Sequence, residues 1–234
     1  MSSDPLRRLR SMGHDLSTTP ISRLPKELER ACFIVVNTYT SYSLSLGVAP
    51  LNDALSMAKL AKLRNLDIFF LHNPRKANFL KYLQRFLAIT NDHLVVYYVG
   101  HGTRVRDLDG DEESGYDSAF VFDDGNIIDD VLVENLIKYK HPENQLTLIT
   151  DACHSGSIWD IQSGNVNGRE LPPMVMSISA ASDAQTAKQT TVDRIDQGIF
   201  TYNLYKVVKA DPEITPTNLK KKLTTVLRRY GQTC

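Results

Sequence analysis

The stretch "QLTLITDACHSGS" (Gln145–Ser157) is β-prone as far as Thr150, then turns abruptly polar around one cysteine, Cys153. It has a counterpart upstream. "HLVVYYVGHGT" (His93–Thr103) is a second β-prone run, and it ends in Gly100, His101 and Gly102. Each motif reads as the polar end of a buried strand. In open α/β sheets, ligands bind beyond the carboxyl ends of the strands. Parallel, neighbouring strands would bring His101 and Cys153, 52 residues apart, out on one edge.

The flanking sequence supports such a sheet. "ACFIVVN" (31–37), "DIFFL" (67–71) and "MVMSISA" (174–180) are further short β-prone runs. Continuous apolar runs of this kind mark strands buried on both faces. Between them, 50–65 and 75–89 carry apolar residues at helical spacing, a further helix is expected over 130–139, and two more near 199–209 and 216–229. Alternation of strands and helices predicts an α/β domain with a mainly parallel sheet flanked by helices on both faces. Residues 1–30 are polar, carry Pro5, Pro20 and Pro25, and read as an extended or loosely packed arm.

Composition narrows the function classes. The chain has 234 residues and zero formal net charge, so no global field points to nucleic acid or an anionic membrane. No apolar run approaches the length of a membrane span, and the amino-terminal stretch has no apolar core of a secretory signal. Three widely separated cysteines, Cys32, Cys153 and Cys234, fit a reducing compartment, so a cytoplasmic location is expected.

A lone cysteine is most often a small core residue. Cys153 departs from that reading because His101 ends a second strand, and each residue has glycine nearby. A cysteine nucleophile needs a base or imidazolium to raise its thiolate fraction. Gly102 lets backbone approach a substrate closely and, with the Cys153 N–H, could offer an oxyanion donor. The chemistry implied is acyl transfer. His154 is the tempting neighbour, but an adjacent side chain points away from the thiol.

"YYVGHGT" and "TDACHSGS" resemble the two catalytic blocks of metacaspases, and the spacing agrees with the caspase pattern of a histidine about 50 residues before the cysteine. "GVAPLNDALSM", "DGDEESGYDSAFVFDDGNIIDD", "SISAASDAQTA" and "GIFTYNL" resemble further metacaspase blocks, in order, over roughly 31–229. The resemblance implies a caspase-hemoglobinase fold: a large catalytic part over 31–160, a short linker at 161–173 and a small part over 174–234. It implies a Cys153–His101 dyad and cleavage of protein or peptide substrates after Arg or Lys. Asp53 and Asp151 are the candidate carboxylates for a basic side chain, since two carboxylates around one pocket pair with a guanidinium or ammonium. The alternative is that Asp53 only caps its helix and Asp151 only terminates its strand. A monomer is expected, with neither nucleic acid nor membrane as partner.

The chain departs from the family at two places: Val99 stands where a serine is usual, and Pro50 where a cysteine is often found. The intact Gly-His-Gly and Asp-Ala-Cys-His-Ser-Gly favour a peptidase, whereas the two departures leave an inactive caspase-like scaffold as the alternative. A legumain-like peptidase is disfavoured by the acidic pocket and the absence of a recognisable secretory signal. Between Asp107 and Asp130, 24 residues hold ten acids and no base. Such a run is a solvated loop or a site for a hard cation. The resemblance implies calcium, with Asp117, Asp129, Asp130 and Asp160 as ligands. Cleavage after basic residues would permit self-processing, with Arg169, Lys188 and Arg194 as loop candidates and Arg23 and Lys26 in the arm. An autoinhibitory arm would lay a basic side chain near Asp53 and Asp151.

Overall fold

The computed structural model describes residues 4–107, 115–153, 158–159, 165–166, 169–180, 189–192 and 195–232. The chain opens with α1 (Pro5–Arg10), β1 (His14–Asp15), β2 (Leu28–Val36), α2 (Ala49–Leu63), β3 (Asp67–His72), α3 (Lys76–Ile89) and β4 (Thr90–Val99). An antiparallel excursion follows, made of β5 (Gly102–Arg106), β6 (Tyr116–Phe122) and β7 (Gly125–Ile128). Then come α4 (Asp129–Tyr139), β8 (Gln145–Asp151), the short pair β9 (Asn165–Val166) and β10 (Arg169–Glu170), and β11 (Val175–Ser179). The hairpin β12 (Gln189–Val192) and β13 (Ile195–Gly198) leads into α5 (Ile199–Ala210) and α6 (Pro216–Arg228).

Six strands form one sheet in the order β1-β3-β2-β4-β8-β11, and every neighbouring pair is parallel. The cause is visible in β2, whose successive side chains enter opposite cores. Cys32, Ile34 and Val36 pack toward α2, α5 and α6, whereas Phe33 and Val35 pack toward α3 and α4. β4 repeats this: Val95, Tyr97 and Val99 face the first side, and Leu94, Val96 and Tyr98 face the second. A sheet covered on both faces needs apolar residues at every position, hence the continuous runs.

Each helix shows its buried face plainly. In α3, Phe79, Leu83, Phe86 and Leu87 are buried. In α6, Leu219, Leu223 and Leu227 form a buried stripe at four-residue spacing, and the Thr215 side chain accepts the Asn218 N–H at the start. α2 buries Ala54, Ala58 and Ala61 against the sheet. The expected helices therefore form, with bounds moved by a residue or two. Among the described residues, no helix is long and apolar enough to cross a membrane.

Two expectations are corrected. The amino-terminal segment is not a loose arm. α1 buries Leu9, β1 pairs with β3 at the sheet edge, and Leu16, Leu24 and Leu28 join the core. Lys26 lies two residues before β2 begins, at the amino end of the sheet, whereas Asp151 ends β8 at its carboxyl end. The segment is thus built into the edge rather than laid over the cleft. The described part of the acidic stretch is likewise not a solvated loop. β6 pairs with β5 and β7, and Phe120 and Phe122 are buried against Phe79. Lys188 and Arg194 lie outside the described residues.

Candidate active site

The register of β4 and β8 sets the two key residues level. Val99 pairs with Asp151, the last residues of their strands, and the Gly100 N–H continues the pairing to the Asp151 carbonyl at 3.3 Å. His101 and Cys153 each lie two residues beyond that pair, and both are half-buried. The glycines of "GHG" have a steric reason. A Cβ on Gly102 would collide with the Cys153 carbonyl oxygen, and one on Gly100 would lie 2.8 Å from the Tyr39 hydroxyl. The close approach that Gly102 allows in this structure is that of the Cys153 backbone.

His101 is held from several sides. Its Nε2 lies 2.8 Å from the Leu44 carbonyl oxygen. A carbonyl only accepts, so in this hydrogen bond Nε2 is the donor. The His101 N–H donates to the Tyr39 hydroxyl at 2.6 Å, and the two rings lie 4.9 Å apart. Tyr39 in turn donates to the Val121 carbonyl at 3.0 Å. Burial pushes the Tyr39 phenol up to about 12, so it stays a neutral hydrogen-bonding post. Tyr39 takes a left-handed backbone at φ 64°, uncommon for a residue with a side chain, and its amide donates to the Asn73 side-chain oxygen. Neither Tyr39 nor Leu44 carries a sequence signal: one acts through a phenol in an irregular loop, the other through backbone.

Asp53 and Asp151 come together beneath this turn. They are 1% and 6% exposed, so both are removed from water. A Cβ on Gly198 would sit 2.6 Å from Asp151 Oδ2 and 2.9 Å from Asp53 Oδ2, so one glycine touches both carboxylates. The Gly198 N–H donates to Asp53 at 2.8 and 2.9 Å, and the Thr201 hydroxyl donates to Asp151 at 2.6 Å. Tyr97 shares a 2.8 Å hydrogen bond with Thr201. Burial, then the charge of Asp151, hold the Asp53 carboxyl well above its ordinary range. Burial raises Asp151 to about 6, opposed by its hydrogen bonds from Thr201.

Neither bland alternative is what these residues do. Asp53 is the fifth residue of α2, not its cap, and it accepts from the residue that precedes α5. Together Asp53 and Asp151 take up donors from the start of α5, which also favours negative charge there. The neighbouring Asn52 donates to the Asp196 carbonyl at 2.8 Å, so adjacent residues of α2 grip alternate residues of β13. The donors Gly198 and Thr201 carry no sequence signal that marks them as partners of these carboxylates, although both lie in the "GIFTYNL" block. Val99 and Pro50, the two departures, are buried as part of the α2 side of the molecule.

A second carboxylate group lies on the β6–β7 excursion. Asp129 accepts the Ser118 N–H at 2.9 Å and the Asp130 N–H at 3.1 Å. Burial lifts Asp129 to about 7; the Ser118 N–H opposes this, and the charge of nearby Asp117 adds to it. The structure thus brings Asp117, Asp129 and Asp130 to one locality. Among the described residues, no group of three or more His, Cys, Asp or Glu side chains is spaced to hold a metal ion. Asp160 and His154 lie outside the described residues. Trp159 is described: it donates to the Thr150 hydroxyl at 3.1 Å and packs edge-on against Phe120.

A parallel six-stranded sheet with a Cys–His juxtaposition at its carboxyl edge defines a caspase-like architecture, and comparison with solved structures agrees. The crystal structure of caspase-1 from Spodoptera frugiperda superposes with a TM-score of 0.60 at 14% identity, covering 87% of this chain and 79% of that one. A Geobacter sulfurreducens protein superposes with a TM-score of 0.66 at 20% identity, covering 84% and 88%. At such identities the likeness shows the fold alone. The sequence carries the likeness further: residues 47–162 match the metacaspase, peptidase C14 domain. It is similar to metacaspase-1A of Neurospora crassa, 40% identical over 94 residues that make up 38% of this chain and 21% of that protein. Metacaspase-1 of Yarrowia lipolytica is 43% identical over 94 residues, covering 38% and 20%. The aligned segment thus spans about a fifth of the length of these curated relatives.

Proposed function

We propose that the chain is a cysteine endopeptidase that cleaves after Arg or Lys through a Cys153–His101 dyad. The observation that carries this reading is the convergence at one sheet edge: His101 and Cys153 level with each other, above a buried pair of carboxylates. In this reading, His101 Nδ1 takes the thiol proton while Nε2–H stays on the Leu44 carbonyl, which fixes the tautomer. The thiolate attacks the substrate carbonyl, His101 protonates the departing amine, and water hydrolyses the thioester with His101 again as base. The Gly102 and Cys153 N–H groups are the candidate oxyanion donors. Asp53 and Asp151 bind the basic side chain before the cleaved bond, because a guanidinium or ammonium supplies the charge the pair lacks.

Calcium is the cofactor this reading includes. The candidate donors are all carboxylate oxygens, which suit a hard cation, and burial together with the charge of nearby Asp117 raises Asp129, so a cation there would favour its ionised form. Asp117, Asp129, Asp130 and Asp160 would hold the ion, which would supply positive charge to this part of the chain. The test compares wild type with Cys153→Ala on fluorogenic peptides ending in Arg, Lys, Asp or Asn, with and without calcium. Expected is Arg/Lys cleavage that falls at least about 10³-fold in the variant. Equal cleavage after Asp, or full activity in the variant, overturns the assignment; full activity in excess chelator removes calcium from it.

A further inference from the structure

The segment between β2 and α2 has no regular structure, yet it supplies the Leu44 carbonyl that fixes the His101 imidazole. Its position therefore decides which way the ring points. Several attachments hold it besides the Tyr39 hydroxyl bonds to Val121 and His101. Inside, the Thr38 and Tyr39 amides donate to the Asn73 side chain at 2.8 and 3.0 Å. Outside, the Thr40 amide donates to both oxygens of Asp123, at 3.1 and 3.0 Å, and the Ser41 amide to Asp123 Oδ1 at 3.3 Å. The Ser41 carbonyl then accepts the Leu44 N–H at 3.1 Å, closing a turn. An unbroken chain of contacts runs from Asp123 through Thr40 and Ser41 to Leu44, and from Leu44 to His101 Nε2.

Asp123 stands at the connection between β6 and β7, on the excursion that carries Asp117 and leads into Asp129. Its neighbour Asp124 does something else: it accepts the Lys76 N–H at 3.0 Å, at the start of α3. Two adjacent carboxylates thus hold two different elements, and only the first of these elements touches the imidazole. We infer that Asp123 is a positioning residue for His101: it clamps the Thr40–Leu44 turn onto the β6–β7 excursion and so holds the Leu44 carbonyl where it orients the ring. This rests on His101 being the acid–base group of the proposed reaction.

The test uses the full chain with Asp123→Ala, Asp123→Asn and Asp124→Ala. Asparagine keeps an oxygen within reach of both amides, since Oδ1 alone accepts from Thr40 and Ser41. Asp123→Ala is expected to lower kcat about tenfold with KM within about twofold, because a displaced base costs rate more than binding. Asp123→Asn is expected to restore kcat, and Asp124→Ala to lower the melting temperature while leaving kcat unchanged. Imidazole ¹H–¹⁵N spectra supply a readout independent of turnover: the His101 Nε2–H tautomer should be sharp in wild type and mixed in Asp123→Ala. Unchanged kcat and tautomer in Asp123→Ala, or an Asp123→Asn as impaired as the alanine variant, overturns the inference. A wild type that cleaves none of the peptides defeats the proposed function instead, and the tautomer comparison still decides the role of Asp123.

Discussion

Asp53 beside Asp151, and Asp129 beside Asp117, are each raised by burial and by the neighbour's charge, yet the two groups are built differently. The first pair takes its donors from outside, from Gly198 and Thr201 at the start of α5. The second takes them from its own neighbourhood, from the amides of Ser118 and Asp130. In the proposed reading, a pair wedged between two helices and a strand end suits the elongated cation of an Arg or Lys side chain, and a group on a β excursion and a helix start suits a spherical ion. On that reading the source of the donors, and not negative charge alone, separates the two cations.

The largest effect that would break this comparison is on specificity. Asp151→Asn and Asp53→Asn are each expected to cut kcat/KM for Arg- and Lys-terminated peptides by about 10²-fold or more, since a buried charge pair with the substrate is lost. Asp129→Asn is expected to raise the calcium needed for half activity about tenfold, while kcat at saturating calcium stays near wild type. Steady-state kinetics across calcium concentrations separate the two. If Asp129→Asn lost Arg/Lys preference, the division of labour would be wrong.

A smaller effect sharpens the same division without turnover. At pH 7.5, benzamidine should raise the melting temperature of wild type and Asp129→Asn by a few degrees, but not that of Asp151→Asn. Calcium should stabilise wild type and Asp151→Asn, but not Asp129→Asn. Differential scanning fluorimetry reads both, and stabilisation of every variant by both ligands would mean that neither group is selective.

The legible and illegible parts of the chain divide along similar lines. β2, β4 and β8 are buried on two faces, so almost every residue must be apolar and the strands stand out in sequence. His101 and Cys153 stand out because each follows such a run, with glycine nearby. The edge built by residues 5–28 does not: Leu9, Leu16, Leu24 and Leu28 enter the core singly, at no regular spacing, between prolines and charges. Asp53 and Asp151 could be picked as a pair, but the function they share with α5 could not. Gly198 lies 145 residues from Asp53, and Thr201 lies 50 from Asp151. Tyr39 and Leu44 were silent because a carbonyl, or a phenol in an irregular loop, leaves no pattern.

The smallest effect concerns what the first pair costs when no cation fills it. Asp151 ionises near its ordinary 3.8 in the unfolded chain but only at about 6 when folded. A carboxyl with a raised folded pKa stabilises the fold fully at low pH, and that stability is lost as pH rises from about 4 through about 6. Wild type should therefore melt lower at pH 7.5 than at pH 4.5 by more than Asp151→Asn does, and benzamidine should close part of that gap. Thr201→Val removes the hydroxyl that favours the charged form, so it should move the fall to higher pH. Melting curves of wild type and Thr201→Val between pH 4 and 8 check this. A fall at the same pH in both would mean that the helix start, rather than the hydroxyl, governs the ionisation of Asp151.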